Sequence, residues 1–313
     1  MRATALDCVY ALAKKDPRVY FIGSDLGVGT LKQFKAEMPE RFFMEGVSEQ
    51  HLVGMAAGLA LEGKIPYINT IATFLTRRCF EQNVLDLGLH RTNVRLLSSG
   101  GGFVYAPLGP THLATDDIAI MRAIPNMAIV APCDAEEMKR LMALTLDHQG
   151  PMYIRFGKGY DPVVSRPELG FTIGKAITLQ EGPDALIVTT GITLKTALDA
   201  APLLEQQGLK PTILHCHTVK PLDVEALRRH ASRVPVVVTV EEHTIVGGLG
   251  SAVAEVLAEA DFDAPKRFRR IGIPDAFADK YGSQASLMAR YGITAEAVAK
   301  TVAELSSRAV AGR

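Results

Sequence analysis

The feature that most restricts the fold of this chain is the alternation of two hydrophobic periods along almost its whole length. Short aliphatic and β-branched runs at 19–23, 66–71, 94–98, 128–131 and 152–156 alternate with helical patterns at 3–14, 49–62, 74–89 and 135–146. Strands separated by a helix of chain pair in parallel, with helices covering both faces of the sheet. From Asp161 the pattern lapses into DPVVSRPELGF, with two prolines and no helical period. Alternation then resumes, with strands expected at 185–190, 212–217, 236–240 and 268–273 and helices at 194–207, 223–231, 251–259 and 295–305. The expectation is an α/β protein of two consecutive doubly wound domains with mostly parallel sheets. They occupy residues 1–160 and 174–313 and are joined by a linker at 161–173. A chain of 313 residues is long enough for two cores.

Charge excludes some classes of partner. Lysine plus arginine equals aspartate plus glutamate at 34 each, and no basic block or aromatic–basic interleaving occurs, so nothing favours nucleic acid or an anionic membrane. Cys8, Cys79, Cys133 and Cys216 are scattered without a CxxC pair and read as reduced thiols of a cytoplasmic protein. The first fifteen residues place Lys14 and Lys15 after the apolar positions, the reverse of a secretory signal. Residues 96–115 carry no Asp, Glu, Lys or Arg, but their four glycines and two prolines forbid a spanning helix. They read as a strand feeding a buried loop. Gly27-Val28-Gly29 has the start of a dinucleotide fingerprint, but Lys32 stands where its third glycine belongs, and that signal is weak. No zinc motif is present and no metal ligand is expected.

The chemistry concentrates in Phe43-Met44-Glu45-Gly46-Val47-Ser48-Glu49-Gln50-His51 and the helix behind it. Ser48 is placed as an N-cap, and Glu49 in the first turn suits the helix dipole. Gly54, Ala56, Ala57, Gly58 and Ala60 make that helix smooth enough for very close approach of another. A carboxyl at such a contact loses water, which favours its protonated form and lets it donate a hydrogen bond. By itself, a Ser-Glu pair of this kind reads as a helix cap.

Together with Ala72-Thr73-Phe74-Leu75, Gly109-Pro110-Thr111-His112 and Glu241-Glu242-His243-Thr244-Ile245-Val246-Gly247-Gly248-Leu249-Gly250-Ser251, this segment resembles the transketolase family of thiamine-diphosphate enzymes. The resemblance spans nearly the whole chain, as a pyrimidine-binding domain followed by the family's C-terminal domain. It implies that Glu49 is catalytic and hydrogen-bonds N1′ of the cofactor's aminopyrimidine. It implies that Phe74 packs on that ring, with Phe80 as a second lining candidate, and that His112 faces substrate hydroxyls. Arg155 matches a position that holds a sugar phosphate, a role suited to guanidinium geometry. Its ordinary alternative is a strand-end salt bridge, and His243 reads as structural or interface-forming.

Two departures bear on the substrate. Leu108 replaces the Asp that usually precedes Gly-Pro-Thr-His, and Gly100-Gly101-Gly102 replaces a phosphate-contacting residue, so a more open site or a different ketose is expected. A Gly-Asp-Gly motif, which holds the diphosphate through Mg²⁺ in the family, is absent from the sequence. The resemblance therefore implies the C-terminal subunit of a split transketolase. Thiamine diphosphate would be shared with an N-terminal partner subunit that binds Mg²⁺, in an α₂β₂ assembly with the 54–60 helix near the subunit contacts. Alternatives are the β subunit of a 2-oxo-acid dehydrogenase, a deoxyxylulose-phosphate synthase-like enzyme, and a non-catalytic α/β scaffold.

Overall fold

The computed structural model describes residues 1–24, 31–159 and 161–310; the Gly27-Val28-Gly29 segment lies outside the described residues. Among the described residues twelve strands are formed: β1 (Val19–Gly23), β2 (Phe42–Met44), β3 (Ile65–Ile71), β4 (Arg95–Ser99), β5 (Ala128–Val130), β6 (Met152–Phe156), β7 (Ile177–Gln180), β8 (Ala185–Thr189), β9 (Pro211–His215), β10 (Thr218–Lys220), β11 (Val236–Thr244) and β12 (Arg267–Ile273). They make a seven-stranded sheet of order β10-β5-β6-β4-β3-β1-β2 and a five-stranded sheet of order β12-β11-β8-β9-β7. All pairings are parallel except β10 with β5 and β7 with β9. The fold is α/β with mostly parallel sheets, and the unexpected strands β2, β7 and β10 all lie at sheet edges.

Sequence periodicity translates directly into burial. Strands β3, β4 and β6 are buried at every residue, because helices cover both faces of a parallel sheet. Neighbours on a strand face opposite sides. Phe21 therefore joins Leu6, Val9 and Leu141 in one apolar cluster, while Ile22 joins Leu52, Val53 and Ala56 in another. The second sheet is sandwiched in the same way.

Three expectations need correction. The helix at 74–89 is broken into Ala72–Thr76, Phe80–Gln82 and a π-helical stretch Asn83–Leu89. At the break, Cys79 Sγ donates to Phe74 O, and Asn83 Nδ2 donates to Leu75 O at 2.7 Å, so side chains replace backbone donors. The strand at 212–217 ends at His215. There the chain leaves its own sheet, and β10 pairs antiparallel with β5 of the other (Thr218 opposite Val130). The larger sheet thus borrows an edge strand from the second half of the chain. Ser48 occupies the N-cap, but its hydroxyl donates back to Glu45 O at 2.9 Å and leaves the helix amides alone.

The two sheets meet in a continuous apolar seam where Phe103, Ala106, Leu113 and Cys133 pack with Ile187, Val240 and Leu287. Beside it, Asp134 caps the Ala135–Leu144 helix and also accepts Val164 N and Ser165 N, which straps the 161–173 segment to the first sheet. Among the described residues no helix is long and apolar enough to cross a membrane.

Candidate functional site

The loops and helices that follow β2, β3, β4 and β6 all emerge at the carboxyl edge of the first sheet, where open α/β sheets bind ligands. Glu49 opens the Glu49–Leu61 helix after β2. Phe74 lies in the Ala72–Thr76 helix after β3, and His112 lies in the loop after β4. Parallel pairing of the strands places these three on one edge although they are far apart in sequence.

They form a row. Glu49 is only 2% exposed, and Arg78 Nη1 donates to its Oε2 at 2.7 Å. The Arg78 guanidinium carbon stands 4.1 Å from the Phe74 ring centre. On the far side, Phe74 meets the His112 imidazole edge-on, with ring centres 5.2 Å apart at 67°. His112 is turned by its neighbour, since Thr111 Oγ1 lies 2.9 Å from Nδ1. A buried carboxylate, a guanidinium, an aromatic ring and an imidazole therefore follow one another along the sheet edge.

The expected water exclusion at Glu49 is present, but the carboxyl is not alone. Its desolvation comes from packing within this chain, and Arg78 supplies an opposite charge that sequence reasoning did not place. The missed signal was spacing: Phe74 and Arg78 are four residues apart, near enough for ring and guanidinium to meet across the turn that ends the Ala72–Thr76 helix. Burial, and then the Glu49 carboxylate, push the neighbouring Cys79 thiol up to about 12. Phe80 stands outside the row. It is partly exposed and shares no ring contact with Phe74 among the described residues.

Arg155 lies at the seam between the two sheets. It is buried, with Nε donating to Asp117 Oδ2 at 2.7 Å and Nη2 to Glu242 O at 2.8 Å. Tyr153 Oη adds a second donor to the same Asp117 oxygen at 2.7 Å. The guanidinium forms a buried ion pair that reaches into the second sheet, the geometry of a strand-end salt bridge. His243 belongs to the same seam. It is buried, its Nδ1–H donates to Thr244 O at 2.7 Å, and Nε2 accepts Ala119 N at 3.3 Å.

The triple glycine is a packing requirement of this loop. A Cβ on Gly100 would lie 2.1 Å from the Tyr105 ring, on Gly101 2.7 Å from Arg155, and on Gly102 2.3 Å from the Glu242 carboxyl carbon. Gly100 and Gly102 also hold φ of +83° and +63°, conformations that favour glycine. Leu108 is half-exposed at the tip of the loop. Glu242 is the second residue to which sequence reasoning gave no role. Burial pushes its carboxyl up to about 7 against the pull of Arg155 and of the Phe103 N–H.

Away from the row, Cys133, Glu137 and His215 bring their ligand-type atoms within 4.8 Å of one another. Glu137 Oε2 already accepts Cys133 N at 2.7 Å and lies 3.0 Å from His215 Nε2, so this oxygen links the two sheets.

The chain matches the family model "Transketolase, pyrimidine binding domain" over residues 1–160 and the model "Transketolase, C-terminal domain" over residues 174–298. It is 37% identical over 305 residues to one of the subunits of the apulose-4-phosphate transketolase of Phocaeicola vulgatus, covering 97% of this chain and 96% of that one. It is 37% identical over 309 residues to a 6-deoxy-6-sulfo-D-fructose transketolase subunit of Clostridium sp., covering 98% and 95%. Among solved structures, a split gene transketolase described as an inactive beta4 tetramer matches with a TM-score of 0.89 at 35% identity, over 98% of both chains.

Proposed function

The chain belongs to the transketolase family, and from that premise we propose that it is the C-terminal subunit of a two-chain, thiamine-diphosphate-dependent transketolase. Such an enzyme is a transferase that moves a two-carbon ketol unit between sugars or sugar phosphates. The observation that carries this reading is the Glu49–Arg78–Phe74–His112 row at the carboxyl edge of the first sheet.

The residues suit the ring half of the cofactor. Glu49 offers a desolvated carboxyl for a ring nitrogen, Phe74 an apolar face for the aminopyrimidine, and His112 an imidazole for hydroxyls of the sugar. When bound, the cofactor supplies the nucleophilic carbon and the electron sink for carbon–carbon cleavage. The protein's part is to hold a proton at the Glu49 carboxyl, to keep water from it, and to orient the sugar. For Glu49 to donate to a ring nitrogen, Arg78 has to give up the oxygen it holds in the free chain. Mg²⁺ is assigned to an N-terminal partner subunit, because the Gly-Asp-Gly motif that holds it in the family is absent from this sequence.

The partner's contact face is proposed along the Glu49–Leu61 helix and the π-helical stretch beside it. Val47, Leu61 and Leu89 are 70%, 64% and 69% exposed there, and a Cβ on Gly58 would meet nothing within 4 Å. The relative that forms an inactive tetramer of β chains supports self-association of this chain without its partner, and an α₂β₂ assembly with it.

The test is reconstitution with a partner subunit that bears a Gly-Asp-Gly motif, followed by a ketol-transfer assay. Glu49→Ala is expected to lower the rate by about 10²–10⁴ with the circular dichroism spectrum unchanged. Normal turnover by that variant overturns the assignment. Tight binding of Mg²⁺-thiamine diphosphate by the isolated chain overturns the need for a partner.

A further inference from the structure

The loop that carries His112 is closed at its neck. Gly102 N donates to Ala114 O at 2.8 Å, and Ala114 N returns to Gly102 O at 3.2 Å, so residues 103–113 form one excursion with His112 near its end. The far side of the neck is tied within the first half of the chain, where Arg77 donates to Leu113 O at 3.1 Å. The near side depends on the second sheet. Glu242, near the end of β11, accepts Phe103 N–H on Oε1 at 2.8 Å, and Gln284 Nε2 donates to the same oxygen at 2.8 Å. The Glu242 carboxyl also fills the space against Gly102, and its backbone carbonyl accepts Arg155, which reaches on to Ala114 O at 3.3 Å.

Three glycines lead into this loop, so its own backbone supplies little stiffness where it leaves β4. One buried carboxyl from the other sheet therefore fixes the level at which the loop departs. Glu49 and Phe74 sit on helices after β2 and β3 and make no contact with that carboxyl, so the cofactor side of the row does not depend on it.

We propose that Glu242 is a positioning residue of the ketol-transfer site, latching the 103–113 loop and thereby setting the place of the His112 imidazole against Phe74. This rests on the reading of the row as half of a transketolase site. The latch gives the C-terminal domain a part in sugar recognition although it contributes no side chain to the row. Misplacement of a substrate-facing group by about 1 Å can cost on the order of 10²-fold in rate.

The test compares wild type, Glu242→Ala and Glu242→Gln as full chains, alone and reconstituted with the partner. Glutamine keeps an oxygen for Phe103 N–H, whereas alanine leaves that donor buried and unpaired. In the reconstituted enzyme, Glu242→Ala is expected to raise the sugar KM by roughly tenfold or more while cofactor affinity stays within about twofold, and Glu242→Gln to restore most of the loss. In the chain alone, hydrogen exchange of amides 103–112 is expected to quicken in the alanine variant only, with the Glu49–Leu61 helix unchanged. Equal sugar KM and equal loop exchange in wild type and Glu242→Ala overturn the latch. So does a parallel loss of cofactor affinity and turnover in both variants, which marks a general structural role. Should Glu242→Ala fail to fold, Glu242→Asp draws the carboxyl back from the Phe103 N–H, and unchanged loop exchange there overturns the proposal. A wild-type complex that transfers no ketol unit refutes the function above, and loop exchange alone then decides the latch.

Discussion

Replacing Glu137 with Gln removes a charge from the seam between the two sheets, and its cost can be worked from the geometry. Burial pushes the Glu137 carboxyl up, but His215 at 3.0 Å and the Cys133 N–H at 2.7 Å outweigh it, and the group is held down to about 2 from an ordinary 4.5. A carboxyl whose folded value lies below its unfolded value contributes stability above about pH 4.5 and loses it as pH falls through about 2. At 1.36 kcal/mol for each pKa step, that difference corresponds to about 3 kcal/mol at pH 7 and about 1 kcal/mol at pH 3. Glutamine keeps an acceptor for Cys133 N–H but does not titrate. Urea unfolding at pH 7, 5, 4 and 3 is therefore expected to show wild type ahead by about 3 kcal/mol at pH 7, with the gap narrowing to about 1 kcal/mol at pH 3. A gap that stays constant across that range refutes the reasoning, because the stabilisation then does not come from the ionised carboxylate.

Gly102→Ala has to place a Cβ 2.3 Å from the Glu242 carboxyl carbon at φ +63°, and a loss of several kcal/mol in thermal or urea unfolding is expected; a change under about 0.5 kcal/mol would show that the seam is loose. Asp117→Asn leaves the Arg155 guanidinium buried without its counter-charge and is expected to cost about 3–5 kcal/mol by the same measurement, against little effect if Arg155 swings out to solvent. With a thiol reagent at pH 8, Cys8, half-buried, is expected to react in the native chain, while Cys79, Cys133 and Cys216 stay silent, since all three are buried and burial pushes their thiols up. Rapid modification of Cys79 would show that the Glu49 pocket opens to water.

The sequence by itself determined the architecture and the order of the site. Alternating periods report which faces are buried, and strands such as β4 and β6 are buried on both sides because parallel sheets are covered twice. Once the strands are parallel, whatever follows them in the chain meets at one edge, which explains why Glu49, Phe74 and His112, singled out by the family resemblance, come together. What the tertiary structure decided is the pairing of charges and the fit of backbone to side chain. Arg78 reaches Glu49 across 29 residues, Arg155 reaches Asp117 across 38, and Phe103 reaches Glu242 across 139. Periodicity holds no information about such partners. The same limit hid β10, a three-residue strand whose sheet is chosen by where the chain turns after His215. It also hid the reason for three successive glycines, since only the packed molecule shows what a Cβ would strike.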